Sequence, residues 1–180
     1  MSGIVGGVGA KSGIVGSDIY PVGHVLQSKV VSISTGICAA GNVSSKTTVL
    51  SLAFTHTQTN PTIYVAVSGI GGMGAHLTNG GGVVDDQGHF EISNSVDGTM
   101  ASGRMHVNQG YANTGRRMTG PFGMSAYSTV TANAGVALTY YFKVWAQSAT
   151  YAMVYINSNG SLATPGNEGT TTMAIYELQE

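Results

Sequence analysis

The sequence predicts an all-β protein, an antiparallel sandwich or barrel that follows an extended glycine-rich arm. Three observations carry that prediction. Apolar residues recur with period two through several segments. Turn formers separate those segments at short intervals. No window holds an apolar stripe at i, i+3, i+4 and i+7 with helix caps, so no long helix is expected.

The arm comes first. Ser2-Gly3-Ile4-Val5-Gly6 recurs ten positions later as Ser12-Gly13-Ile14-Val15-Gly16, with further glycines between. Two copies are too few for a solenoid. Glycine at this density disfavours helix, yet each Ile-Val pair is apolar enough to seek a groove or a sheet edge. Residues 1–22 therefore read as an attachment arm with Ile4, Val5, Ile14 and Val15 as its anchors, and Tyr20-Pro21 punctuates the chain before a domain spanning 23–180.

Within that domain Leu50, Leu52 and Phe54 share one strand face, with Ser51 and Thr55 on the other, and Asn60-Pro61 ends the run. Ile63-Tyr64-Val65-Ala66-Val67 has the β-branched and aromatic content of the next strand. Gly69 to Gly82 reads as a loop. Residues 85 to 125 read as polar, loop-rich sequence holding short strands near Gly88–Ile92 and Gly103–Val107. The strongest strand is Leu138 to Ala146, with Leu138, Tyr140, Phe142 and Val144 on one face and Tyr141 and Trp145 opposite, available to a neighbouring subunit or the second layer. Tyr151 to Ile156 follows, with Asn159-Gly160 as a type I′ turn candidate, and the last strand runs from Thr171 to Leu178.

Composition narrows the function. Charged residues are 8% of the chain and the net charge is −1, while 42% of residues are hydrophobic, which is not the profile of a disordered chain. The seven Lys and Arg are scattered apart from Arg116-Arg117, so nucleic acid is not an expected partner. No apolar run is long enough for a membrane helix, and the Met1 end lacks the charged and apolar regions of a secretory leader. A surface so poor in charge favours association, and self-assembly is expected.

Catalytic motifs are weak. Gly69-Ile70-Gly71-Gly72-Met73-Gly74 fits a dinucleotide fingerprint, but the residues after it do not start a helix to receive a pyrophosphate. Gly9-Ala10-Lys11-Ser12 lacks the glycine that a phosphate loop needs before its lysine. His24, His56, His76, His89 and His106 are too far apart to share one strand face around a metal, and Cys38 has no companion. Asp85, Asp86, Glu91 and Asp97 are the carboxylates a glycan hydrolase would use. The expectation is nonetheless a non-enzymatic protein with no cofactor and no metal.

Two stretches carry a resemblance. Lys11-Ser12-Gly13-Ile14-Val15-Gly16 with Tyr20-Pro21-Val22-Gly23-His24-Val25-Leu26-Gln27, and Thr170-Thr171-Thr172-Met173-Ala174-Ile175-Tyr176-Glu177-Leu178, resemble the two ends of small virion-associated proteins of marine bacteriophages, tail-fibre-like or head-decorating. Tyr140-Tyr141-Phe142-Lys143-Val144 resembles a Tyr-rich strand found between them. The resemblance implies a jelly-roll-like sandwich similar to tumour-necrosis-factor-like heads, assembled as a homotrimer on the virion surface and joined to tail or capsid proteins through the arm. It covers roughly residues 11 to 30 and 138 to 178. It leaves tail and capsid placements both open. In the first, loops carrying His76, Asn79, Tyr111, Arg116 and Arg117 would face the receptor, with a host glycan as candidate ligand. The alternative class is a tail-associated glycan hydrolase.

Overall fold

The computed structural model describes residues 22–39, 45–75, 84–109, 117–147, 152–158 and 169–179. The arm anchors Ile4, Val5, Ile14 and Val15 lie outside them, as do His76, Asn79, Tyr111, Arg116 and the Asn159-Gly160 turn. Ten strands are described: β1 (Val25–Ile33), β2 (Ile37–Ala39), β3 (Thr47–Thr55), β4 (Thr62–Ala75), β5 (Val84–Asn94), β6 (Gly98–Gln109), β7 (Arg117–Thr129), β8 (Ala137–Ala146), β9 (Ala152–Ile156) and β10 (Thr171–Leu178). No helix among the described residues is long and apolar enough to cross a membrane.

The strands form two antiparallel sheets. In sheet A, β1, β10, β4 and β7 lie side by side, and the short β9 and β2 extend the sheet beyond the second half of β4. Sheet B has the order β3-β8-β5-β6. Setting β2 and β9 aside, the eight remaining strands have the interlocked Greek-key order of a jelly roll. The sandwich prediction holds, and its jelly-roll form is visible in the strand order.

Alternation builds the core. Ile63, Val65 and Val67 of β4 and Met173 and Ile175 of β10 point inward from sheet A, and Leu138, Tyr140, Phe142 and Val144 of β8 point inward from sheet B, all buried. Phe90, Phe122 and Phe142 pack ring on ring between the layers, with centroids 5.6 to 6.2 Å apart. His56 is buried with them and meets the Tyr140 hydroxyl at 2.9 Å and the Val136 carbonyl at 3.0 Å. Burial pushes the Tyr140 phenol up from its ordinary value, and the charges of Asp97 and Glu177 add to that.

Two sequence readings are corrected. Gly69 to Gly82 is not all loop, because β4 continues through Ala75 with partners on both edges. Close packing explains the glycines: a Cβ on Gly69 would stand 2.3 Å from Thr171 Oγ1, and one on Gly71 would meet Phe122 and Ile156 at 3.0 to 3.1 Å. With antiparallel strand on both sides, the fingerprint-like glycines have no helix N-terminus behind them. Residues 85 to 125 are likewise not loop-rich: they supply most of β5, β6 and β7, three of the longest strands. Outward-facing His89, Glu91, Ser102 and Arg104 dilute the apolar signal without breaking the strands.

The two chain ends meet. β1 and β10 pair with Gln27 opposite Glu177, and Gly23 and Gln179 extend the ladder. The Glu177 carboxylate, fully buried, accepts hydrogen bonds from Gln27 Nε2, from the Thr57 backbone N–H and hydroxyl, and from the Gln58 N–H. It ties the β3–β4 turn to the last strand.

Candidate assembly face and the charged face opposite

Because the odd-numbered residues of β4 and β10 point into the core, the even-numbered ones face outward. Cross-strand register lines them up in rows. Ser28, Tyr176, Tyr64 and Tyr127 form one, Val30, Ala174, Ala66 and Ser125 the next, and Ser32, Thr172, Ser68 and Gly123 the third. None of these positions is charged. Tyr64 and Tyr176 lean together with ring centroids 5.9 Å apart, while Tyr127 is 69% exposed and Val30 56%. A hollow beside them is lined by Val25, Tyr64, Ala66, Tyr176 and Leu178. The tyrosines supply large amphipathic contact area of the kind enriched at interfaces.

The outer face of sheet B is built differently. Its rows are Trp145, His89 and Arg104, then Lys143, Glu91 and Ser102, then Tyr141, Ser93 and Thr99. Trp145 is only 7% exposed, because His89 stacks flat on it at 5.0 Å and Lys46 sits over its ring at 4.5 Å. Lys143 lies 4.6 Å over the Tyr141 ring. The expected role of Tyr141 and Trp145 in contacting a neighbour or the second layer is therefore corrected for Trp145. Its cover comes from its own sheet's outer face. The aromatic residues in the three outer-face rows of sheet A are Tyr64, Tyr127 and Tyr176. Alternation from Ile63, Val65 and Val67 could have placed Tyr64 outward, but the row depends on register between strands distant in sequence.

Among the carboxylates named from sequence, Glu91 is nearly buried and bonds Lys46 Nζ at 2.6 Å. Burial opposes its charge, but hydrogen bonds from Lys46 and Thr99 and the charges of Lys46 and Lys143 hold the carboxyl below the ordinary range. Asp97 sits in the β5–β6 turn and accepts from Asn94 Nδ2 and the Thr131 N–H. Burial opposes its charge too, and those bonds outweigh it. A hydrolase acid must stay protonated near neutrality, whereas both of these groups are held ionised. Asp85, Asp86, His106 and Arg117 lie within strands whose backbone alone is described there; Arg117 opens β7 opposite Gly74 and is strand, not loop. His24 is exposed beside β1. Cys38 sits half-buried in β2 opposite Tyr155.

No family model matches the chain, and no curated protein matches it. Among solved structures, an infectious bursal disease virus Gx strain structure shares 12% identity with a TM-score of 0.27, over 86% of this chain and 38% of that one. T=1 particles derived from the same virus give 9% identity and a TM-score of 0.26, over 97% and 44%. Its VP2 subviral particle gives 12% and 0.24, over 86% and 43%. This chain thus spans less than half of each of those chains, and likeness at this level transfers neither fold nor function.

Proposed function

We propose that this chain is a structural protein of a bacteriophage virion, a trimeric jelly-roll knob on the particle surface held by its N-terminal arm. The three uncharged rows on the outer face of sheet A carry the reading. Covering them removes apolar and neutral surface from water without burying a charge, which is the step that makes association costly. Lys143, Glu91, His89 and Arg104 stand on the outer rows of sheet B, so a trimer closed through the uncharged rows of sheet A leaves that face outward. The trimer itself and the phage setting come from the resemblance of the chain's two ends. The two placements, tail fibre or capsid decoration, follow from the same architecture.

The structure gives a physical reason for the paired end motifs. Gln27 of the first and Glu177 of the second are neighbours in the β1–β10 ladder and bond to each other. Each motif completes the other.

Deleting residues 2 to 17 should leave the knob folded and abolish its incorporation into particles. Deleted protein that co-purifies with virions at the normal ratio would overturn the arm as anchor. Copy number per particle separates a few tail sites from many capsid sites.

A further inference from the structure

We propose that the hollow on the outer face of sheet B binds an acidic sugar. This deepens the virion reading and rests on it for the biological setting, since a trimer closed through sheet A turns this face toward a host surface. The hollow measures about 450 Å³ and is lined by His89, Glu91, Thr99, Ser102, Arg104 and Trp145, with Gly103 backbone completing the floor. That volume falls within the range of small-ligand sites, about 300–1,000 Å³.

The lining is pre-organised. The Trp145 and His89 rings are parallel within 5°, and Lys46 caps the tryptophan, so the aromatic wall stands rigid on the strand rows. Glu91 is pinned by Lys46 and cannot swing away. Next to it Ser102 and Thr99 present hydroxyls from β6, both on exposed residues. Arg104 forms the far wall, exposed, with a long 3.3 Å bond to Gln87 Oε1 that a better acceptor would displace. A rigid ring edge, an exposed hydroxyl and a guanidinium make up a sugar-binding set, with Glu91 holding Lys46 and Thr99 in place beneath them. The Ser102 hydroxyl meets ring hydroxyls, and the guanidinium takes a carboxylate in a bidentate fork.

Charge selects the acidic class. Among the described side chains of this face, Lys46, Arg104 and Lys143 stand against Glu91, while the whole chain carries −1. Lys46 is committed to Glu91, which leaves Arg104 and Lys143 as the surplus. A neutral sugar would leave that surplus unanswered, and a uronate answers it.

Trp145 is the chain's one tryptophan, so its emission reports on the site directly. Full-length protein should be titrated with tetragalacturonate and, in parallel, with the neutral maltotetraose. The expected result is a saturable change in emission with the uronate, weakened by added salt, and at least tenfold weaker binding of maltotetraose. Arg104→Ala and Ser102→Leu should each weaken uronate binding about tenfold or more while keeping the wild-type unfolding midpoint. The uronate should also keep its chain length, as a binding site requires. No saturable change with the uronate, equal binding of the neutral tetramer, or undiminished binding by folded Arg104→Ala would overturn the proposal. Particle incorporation is scored separately: Arg104→Ala should enter virions at the normal ratio. If the wild-type protein is absent from particles, the virion reading fails while the titration still decides the site.

Discussion

Replacing Glu177 with Gln tests whether a single buried carboxylate clamps the two ends of the chain to the β3–β4 turn. The substitution keeps shape and one acceptor oxygen but removes the charge. Hydrogen bonds to a charged group contribute about 1.5–3 kcal/mol each and neutral ones about 0.5–1.5, a difference of about 1 kcal/mol per bond. Four donors, Gln27 Nε2, the Thr57 N–H, the Thr57 hydroxyl and the Gln58 N–H, aim at this carboxylate, so Glu177→Gln should cost about 4 kcal/mol at neutral pH. That is a large part of an ordinary domain stability of about 5–15 kcal/mol. The effect should depend on acidity. Burial works against the charge, but the bonds from Gln27, Thr57 and Gln58 outweigh it and hold the folded carboxyl below its ordinary 4.5. The unfolded chain therefore takes up the proton first as pH falls. The contribution is complete above about pH 5 and is lost as pH drops through the lowered folded value. Urea unfolding of both proteins at a series of pH values reads this out. The gap between wild type and Glu177→Gln should be widest near pH 7 and should shrink below about pH 4. A gap that stays constant down to about pH 3, or is under about 1 kcal/mol at pH 7, would refute the clamp.

Three further outcomes follow from the same structure. Phe142→Ala should cost about 3–5 kcal/mol in thermal unfolding, because the ring is fully buried between Phe90 and Phe122, whereas Thr139→Ala should cost well under about 1 kcal/mol. Gly69→Ala should destabilise by about 1–3 kcal/mol, since its Cβ would collide with Thr171 and disturb the Thr171 to Asn157 hydrogen bond of 2.8 Å; Gly120→Ala, with no atom within 4 Å of the added carbon, is the matched control. Glu91→Gln should loosen Lys46 from its place over Trp145, seen as a shift in tryptophan emission with the sandwich still folded.

The parts of the fold most legible in the sequence were those where apolar residues alternate without interruption. β8 and β10 match their expected ranges because Leu138, Tyr140, Phe142 and Val144, and Met173 and Ile175, leave no second reading of the period. Asn60-Pro61, expected to end the β3 run, instead closes the turn into β4, since β3 stops at Thr55 and Asn60 adopts a positive φ of 51° just before β4 opens. Strands β5 to β7 were harder, because their inward positions include Gly88 and Gly103, which carry no hydrophobic signal. Gly69 and Gly71 were misread for a related reason: glycine usually marks a turn, but here it makes room for Thr171, Phe122 and Ile156, which come from strands distant in sequence. The tyrosine row and the sheet B hollow depend on register, and register between such strands is set by packing that no local pattern records. The resemblance pointed to both partners of the Gln27 to Glu177 contact without showing that they touch.

Sedimentation equilibrium of the purified full-length protein, beside Tyr64→Asp, tests the assembly face most directly. Wild type at micromolar concentration should have three times the 18.4 kDa chain mass, and Tyr64→Asp, which places a charge at the centre of the tyrosine row, should sediment as a folded single chain. A monodisperse 18.4 kDa wild type, or a Tyr64→Asp protein that remains trimeric, would contradict the trimeric knob.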